Sequence, residues 1–540
     1  MQMKRDFSGL GPQTFDLIVI GGGIIGCGIA RDAAMRGINT LLLEKEDFSY
    51  GTTSRSSRLI HGGLRYLRQL EFKLVRQDMR EREVLLRIAP HLVHPLPFII
   101  PVARPLDRAA LPVGMFLYDV LSFDKSMPWH RRLSKRETLE LEPGLDIKGL
   151  TGSYLCYDCQ VPFTERLCLE TALSAAEHGA LVLNHAKVTV ILRKAGTVYG
   201  VEVQDTLTGE KYQAKGKLVV NAAGPWVDTI TTLLDKGFQP MIRRTKGIHL
   251  LVPRLSRHAV VCFAHSDGRL FFVLPWQGYS LIGTTDTDYS GDSDAVHADA
   301  ADVAYLVSET RRTFPSLKED DIWYTTAGIR ALAGNRSKKA SDVTRAHRIV
   351  DHERRHGVGG FISVLGGKIT GYRAIAEEVV DMICRKLKTK AACRTAEMPL
   401  PGAPAVAREK IKEVAQESGL PVETVSHLAA LYGSRFQEIT ALASRSEKAR
   451  QRICAHCPDV VAQIEHAVME ETALTPGDFL LRRSDVGLAP CQGLDAVETV
   501  AKEMGRLLGW TRDEEQRHIE NYRRQVSLNL LFKSGTATPL

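Results

Sequence analysis

No stretch of this 540-residue chain approaches the ~18–20 consecutive apolar residues that cross a bilayer. The leading segment, 1–13, carries Lys4 and Arg5 but no apolar core, so it does not read as a secretory signal. Internal repeats and low-complexity tracts are absent, which sets aside repeat architectures. Cysteine is sparse, with ten in all, and without an export signal those thiols are expected to stay reduced. Two Cys-x-x-Cys pairs exist, Cys156/Cys159 and Cys454/Cys457. The first lies in an apparent strand, where positions i and i+3 face opposite ways, and a metal needs four converging ligands. No metal is therefore expected. A large charge of one sign is lacking too: 71 Lys and Arg against 63 Asp and Glu leave +8. That excess suits an anionic partner without naming one, and no nucleic acid is expected. What remains is ordinary globular composition, 44% hydrophobic and 25% charged, in a chain long enough for two or three domains.

The informative residues start at Phe15. Phe15 to Ile20 is a short apolar run, a buried strand by its length. Gly21, Gly23 and Gly26 follow at G-x-G-x-x-G spacing, then a helical pattern (Ile25, Ile29, Ala33) closed by Gly37, then a second strand ending at Glu44. This is the full context of a dinucleotide site. The glycines permit a tight turn and close approach to a pyrophosphate, and the helix N-terminus at Ile24 turns its dipole toward it. Glu44 is placed to accept from both ribose hydroxyls, which disfavours a 2′-phosphate.

Two later stretches separate FAD from NAD. "KLVVNAAGPWVD" (217–228) is an apolar strand running into Ala223 and Gly224. "FISVLGGKITGYRAIAEEVVDMI" (361–383) is another strand, a Gly366-Gly367 turn, then a helix with Ile375, Val379 and Ile383 on one face. Three glycine-punctuated strand ends over the first 370 or so residues suggest one long cofactor threaded through a discontinuous domain. FAD, which also needs a site for its isoalloxazine, is the expected cofactor.

These stretches, with "SSRLIHGGLRYL", "EREVLLRIAPHLVHPLPFIIPV", "TKGIHLLVPR", "LIGTTDTDY", "AGIRAL" and "LGGKITGYR", resemble the FAD-dependent glycerol-3-phosphate dehydrogenases of the glycine-oxidase and D-amino-acid-oxidase-like superfamily. The likeness covers roughly 14–390, and a helical C-terminal domain is expected beyond it. It implies an α/β plus α fold. The FAD domain would be Rossmann-like and discontinuous (14–95, 150–235 and 346–395), and the substrate domain an antiparallel sheet (96–149 and 236–345). Residues 400–535 would be helical. Thr475-Pro476 and Thr511 with Glu514 read as helix starts there, and the last residues as a frayed tail.

The resemblance also implies roles. Beside the fingerprint, Lys45, Val188, Ser56, Ser57 and His61 would touch the cofactor. So would Ala223, Gly224, Gly367, Lys368, Ile369 and Thr370. Gly62 and Gly63 would leave room for the flat ring, while Arg58 and Arg68 would be solvated. Substrate phosphate calls for planar, permanently charged donors. Arg65, Arg330 and Arg345 would supply them, with Tyr66 and Lys368 in the same pocket. His249 is the candidate base, since an imidazole titrates near working pH, and Arg330 and Lys368 complete the catalytic set. Thr285 and Asp286 read as a turn.

The expected reaction is oxidation of sn-glycerol 3-phosphate to dihydroxyacetone phosphate, with electrons passed to a membrane quinone. An oxidase forming hydrogen peroxide and a non-catalytic flavin-binding subunit are the alternatives. Segment 104–137 mixes Leu111, Met115, Phe116, Leu117, Leu121, Phe123 and Trp129 with Arg104, Arg108, Lys125, Arg131, Arg132, Lys135 and Arg136. Such a mixture suits a membrane interface or a helical cap on the core. The expected location is cytoplasmic, peripheral on the inner face of the cell membrane, with a homodimer compatible.

Overall fold

The computed structural model describes residues 3–11, 13–63, 66, 70–146, 148–333 and 346–534. Two sheets and a helical region organise them. The first sheet is built on Thr14–Ile20, a strand buried on both faces that pairs in parallel with Lys211–Asn221 on one side and Thr40–Leu43 on the other. Phe361–Leu365 extends it beyond Lys211–Asn221, and Leu181–Leu183 beyond Thr40–Leu43, both again parallel. Strands covered on both faces are continuous apolar runs, which is how "FDLIVI" and "LVVN" read. The helix Ile24–Met35 packs on this sheet beside Thr164–Glu177 and Tyr372–Leu387. Ile375, Val379 and Ile383 form the buried stripe of the last of these. A hairpin, Ala186–Lys194 with Thr197–Asp205, joins antiparallel to the edge of Lys211–Asn221.

The connectivity brings three carboxyl ends together. Gly21–Gly23, Ala222–Gly224 and Gly366–Gly367 follow adjacent parallel strands, so turns far apart in sequence open on one crevice.

The second sheet has ten strands, antiparallel except where Ala259–Phe263 runs alongside His94–Val102. Arg243–Pro253 pairs with both Tyr279–Gly283 and Tyr324–Leu332, setting Thr245 opposite Arg330 and His249 opposite Thr326. Leu59–Ile60 and Gly152–Gln160 belong to this sheet, although the boundaries drawn on sequence assign both to the first domain. Sequence pattern marks a strand but not the sheet it joins. From Arg408 to Ser534 the chain is helical, with Thr475 and Thr511 as side-chain N-caps. Buried ion pairs fasten this region to the first sheet. Arg166 Nη1 donates to both Glu471 carboxylate oxygens at 2.7 and 2.8 Å. Asp47 accepts from Arg482, Arg483 and Asn184. Among the described residues no helix is long and apolar enough to cross a membrane.

Candidate active site

The crevice at the strand ends continues into a cavity of about 760 Å³ that reaches the second sheet. Its first section is backbone. Gly21 has φ +110°, and a Cβ there would lie 2.7 Å from the Ala222 carbonyl oxygen. A Cβ on Gly26 would collide with the Gly21 carbonyl oxygen, so helix and strand approach only because that residue is glycine. Gly23 precedes the helix with no side-chain cap, leaving the first-turn N–H groups to an anion. One of them, Ile24 N–H, meets Thr53 Oγ1 at 3.2 Å. Glu44 accepts from Gly22 N–H at 2.6 Å and Glu46 N–H at 2.9 Å, while burial pushes its carboxyl upward. Lys45 Nζ bridges to Asp294 at 2.5 Å and lies 4.5 Å above the Trp226 ring. The Trp226 indole N–H is buried without a partner. A donor left bare in a cavity wall is what an absent polar ligand leaves behind.

The loop after Glu44 forms the second section. Ser57 Oγ and His249 Nε2 share a hydrogen bond of 2.8 Å, and Ser56 Oγ accepts from Arg58 N–H. Arg58 itself is buried. Its guanidinium grips both Glu165 oxygens at 2.7 Å and stacks 4.6 Å over Trp276. The expected solvated arginine is thus a structural bolt, because the carboxylate that covers it comes from a distant helix. Gly62 and Gly63 also depart from expectation and lie outside the cavity wall. A side chain at Gly62 would strike Met79, and one at Gly63, where φ is +78°, would strike the Tyr66 ring. Protein neighbours by themselves already require small residues there. Gly26 likewise acts from beneath the wall.

The third section is polar. Arg330 Nη1 donates to the Thr285 carbonyl at 3.0 Å and to Asp286 at 3.3 Å, and Nη2 donates to Thr284 Oγ1 at 2.8 Å. Its guanidinium lies across Gly247, where any side chain would displace it. His249 is buried, and desolvation, with Arg330 and Arg58 adding to it, drives the imidazole down to about 3. The expectation that it titrates near working pH is therefore corrected: burial keeps it neutral. Lys368 Nζ is held by Asp78 and sits 4.0 Å over the Tyr66 ring. Burial, opposed by Lys368, raises the Asp78 carboxyl to about 6. His61 is pushed down to about 4 by burial, and its backbone N–H reaches Thr370 Oγ1 at 3.2 Å.

The cavity thus gathers most of the residues expected from sequence. Gly21, Gly23, Ile24, Glu44, Lys45 and Val188 line it. Ser56, Ser57, His61, Tyr66, His249, Arg330 and Lys368 line it too, as do Ala223, Gly224, Gly367, Ile369 and Thr370. Arg65, Arg68 and Arg345 lie outside the described residues. Reading by motif missed Arg55, whose guanidinium lies 5.4 Å from the Tyr50 ring in the cavity wall. It also missed Thr284 and Asp286, which hold Arg330. "GTTDT" looks like a turn in sequence but is a break between two short strands that both pair with Arg243–Pro253, and that pairing brings it against Arg330.

Comparison with known proteins decides the family. Residues 16–373 match the family described as FAD dependent oxidoreductase, and 393–515 the C-terminal domain of alpha-glycerophosphate oxidase. A glycerol-3-phosphate dehydrogenase of Synechocystis is 40% identical over 98% of this chain and 99% of its own. The chain belongs to the FAD-dependent glycerol-3-phosphate dehydrogenase family. A Mycobacterium tuberculosis member of this dehydrogenase family, glycerol-3-phosphate dehydrogenase 2, is 35% identical over 97% of this chain and 90% of its own. The glycerol-3-phosphate dehydrogenase of Bacillus halodurans, solved with FAD, superposes with a TM-score of 0.81 at 29% identity, covering 99% of this chain and 98% of that one. The cofactor of this dehydrogenase is FAD, and the glycine cradle, the uncapped helix and the bare indole N–H suit it.

Proposed function

We propose that this flavoprotein oxidises sn-glycerol 3-phosphate to dihydroxyacetone phosphate at a membrane surface, handing the electrons to a quinone. The single observation that carries the substrate is that three cations, Arg55, Arg330 and Lys368, line the cavity that also holds the glycine cradle. Guanidinium groups match a phosphate in shape and charge. Relatives that bear the name glycerol-3-phosphate dehydrogenase support the same substrate.

Bound FAD supplies the two-electron acceptor. The chain's own residues do the rest. Gly21, Gly23 and the N-terminus at Ile24 receive the pyrophosphate, and Glu44 the ribose, with Lys45 and Val188 beside it. Ser56, Ser57, His61, Ala223, Gly224, Gly367, Ile369 and Thr370 enclose the remainder and exclude water. Arg330 and Lys368 hold the phosphate, with Tyr66 against the Lys368 ammonium. His249, neutral and oriented by Ser57, offers a ring nitrogen to the C2 hydroxyl proton.

The quinone reading is supported by the helix Pro105–Leu121, which buries Met115 and Tyr118 but exposes Val113, Phe116, Leu117 and Val120. Phe123 and Trp129 continue the exposed apolar surface. This surface suits peripheral attachment on the cytoplasmic side, where the acceptor's tail lies in lipid. Anaerobic turnover with a short-chain quinone, compared with turnover in air, tests the acceptor. The proposal expects fast quinone reduction and only traces of hydrogen peroxide. Peroxide formed in step with substrate, at the quinone rate, would instead make the protein an oxidase.

A further inference from the structure

We propose that Cys454, Cys457, Cys491 and Asp495 form a binding site for a thiophilic tetrahedral cation, Zn2+, in the C-terminal helical region. Sequence spacing set the Cys454/Cys457 pair aside for want of four converging ligands. The fold brings three ligand atoms together, because the segment around Cys491 folds back over the pair. Cys454 Sγ lies 3.6 Å from Cys491 Sγ and 3.3 Å from Asp495 Oδ2, and the three ligand atoms all lie within 4.8 Å of one another. Around a tetrahedral zinc, bond lengths of about 2.3 Å to sulfur and about 2.0 Å to oxygen place ligands about 3.8 Å (S to S) and about 3.5 Å (S to O) apart. The observed separations are those edges to within a few tenths of an ångström. Cys457 stands outside that trio but within hydrogen-bonding reach of Cys454, and would be the fourth ligand.

The backbone around two of the sulfurs also donates to them. His456 N–H, two residues past Cys454, donates to its Sγ at 3.3 Å. Gly493 N–H, two residues past Cys491, donates to that sulfur in turn, with Gln492 and Gly493 both at positive φ. Each of these two sulfurs thus accepts a backbone N–H, a contact that a metal-bound thiolate can keep. The first turn is closed by the bridge between Arg452 and Val460 and by Arg452 Nε donating to the Cys457 carbonyl. Cys454 and Cys457 are buried, Cys491 is half-buried and Asp495 is exposed, so a dry site has one side open for entry. Zinc binding would displace the thiol protons and involve no change of oxidation state.

Such an ion would pin the loop around Cys491. That loop's Leu488 carbonyl accepts from Tyr324 OH at 2.6 Å, at the start of the strand that carries Arg330, and its Gln492 carbonyl accepts from Tyr522 OH at 2.6 Å. The staple is therefore structural and stands away from the flavin cavity.

Metal analysis of the full-length holoprotein tests the site. Wild type should retain about one zinc per chain through dialysis. Cys454→Ser and Cys491→Ser should lose it, with flavin content unchanged. Asp495→Asn, at an exposed position, should weaken zinc in competition with a chelator by at least ~10-fold. Because serine at a buried position can prevent folding, the wild type gives a second reading: after chelator treatment, Co2+ should produce a thiolate charge-transfer band that saturates at one equivalent and is displaced by Zn2+. Zinc-free wild type showing no cobalt band overturns the proposal. A Cys454–Cys491 disulfide found by mass spectrometry in freshly purified protein overturns it equally.

Discussion

Arg330 is fastened by Thr284, Thr285 and Asp286 on one side and rests on Gly247 on the other, so little side-chain freedom is left to lose when an anion arrives. Removing one partner of a desolvated charge pair costs about 2–5 kcal/mol. Arg330→Ala should therefore lower kcat/KM for glycerol 3-phosphate by at least ~30-fold, with flavin content normal. Arg330→Lys, which keeps the charge beside Asp286 but not the planar fork, should fall between. Unchanged kinetics in fully flavinylated Arg330→Ala would place the phosphate elsewhere. His249 makes a different prediction. Its folded value of about 3 lies below the ordinary 6.5, so the unfolded chain takes up a proton first as pH falls. Its contribution to stability is whole above 6.5 and is lost as pH falls from there toward 3. Catalysis should lose nothing to His249 protonation between about pH 8 and about pH 5. Rate profiles of wild type and His249→Gln check this: the variant should lose about 10²-fold or more in kcat while the profile keeps its shape. An acid limb near 6.5 that disappears in the variant would contradict the burial.

Among the elements, the helix Pro105–Leu121 has two faces with different jobs. Tyr118 OH donates to Asp158 at 2.6 Å, and Asp158 lines the cavity, so the inward face touches the active site's own framework. The outward face is apolar, with Phe116 57%, Phe123 68% and Trp129 53% exposed, and it is the face the proposed function sets against lipid. Lys125, counted from sequence among the surrounding cations, is instead buried against Asp119, while Arg131 and Arg136 remain exposed. Liposome flotation should find wild type on anionic vesicles, partly resistant to salt because apolar burial is not screened. Phe116→Ser with Trp129→Ser should cut that binding by ~10-fold or more. Wild type that stays soluble with anionic lipid at low salt would refute the membrane face. Elements of this kind differ in how far sequence reveals them. The three glycine turns were readable because each carries its own local necessity: a tight turn, a close approach or a positive φ. Arg58 was not, since nothing near it in sequence announces Glu165, and Cys491 and Asp495 reach Cys454 from beyond two intervening α-helices. The glycines at 62 and 63 suggest room for a flat ring in sequence, and only the fold shows Met79 and Tyr66 where their side chains would stand.

For the whole molecule, the helical region works as a brace on the cofactor site. Asp47, three residues past Glu44, is buried between Arg482 and Arg483, and Arg166 with Glu471 forms a second pair with no exposure. Breaking such a pair from one side costs about 3–5 kcal/mol, so the brace and the loop beside Glu44 hold as one body. Tyr324 and Thr325 carry the same connection to the strand of Arg330, through the Leu488 and Asn529 carbonyls. The result is one cavity spanning two sheets, in which a glycine cradle suited to a dinucleotide shares the wall with cations and a neutral imidazole. Anaerobic titration of the purified flavoprotein with sn-glycerol 3-phosphate, beside other phosphorylated polyols and amino acids, tests that pairing most directly. The account predicts that the oxidised flavin absorption bleaches at about one equivalent of sn-glycerol 3-phosphate and barely responds to amino acids. Flavin that stays oxidised with sn-glycerol 3-phosphate, or bleaches with an amino acid instead, would contradict it.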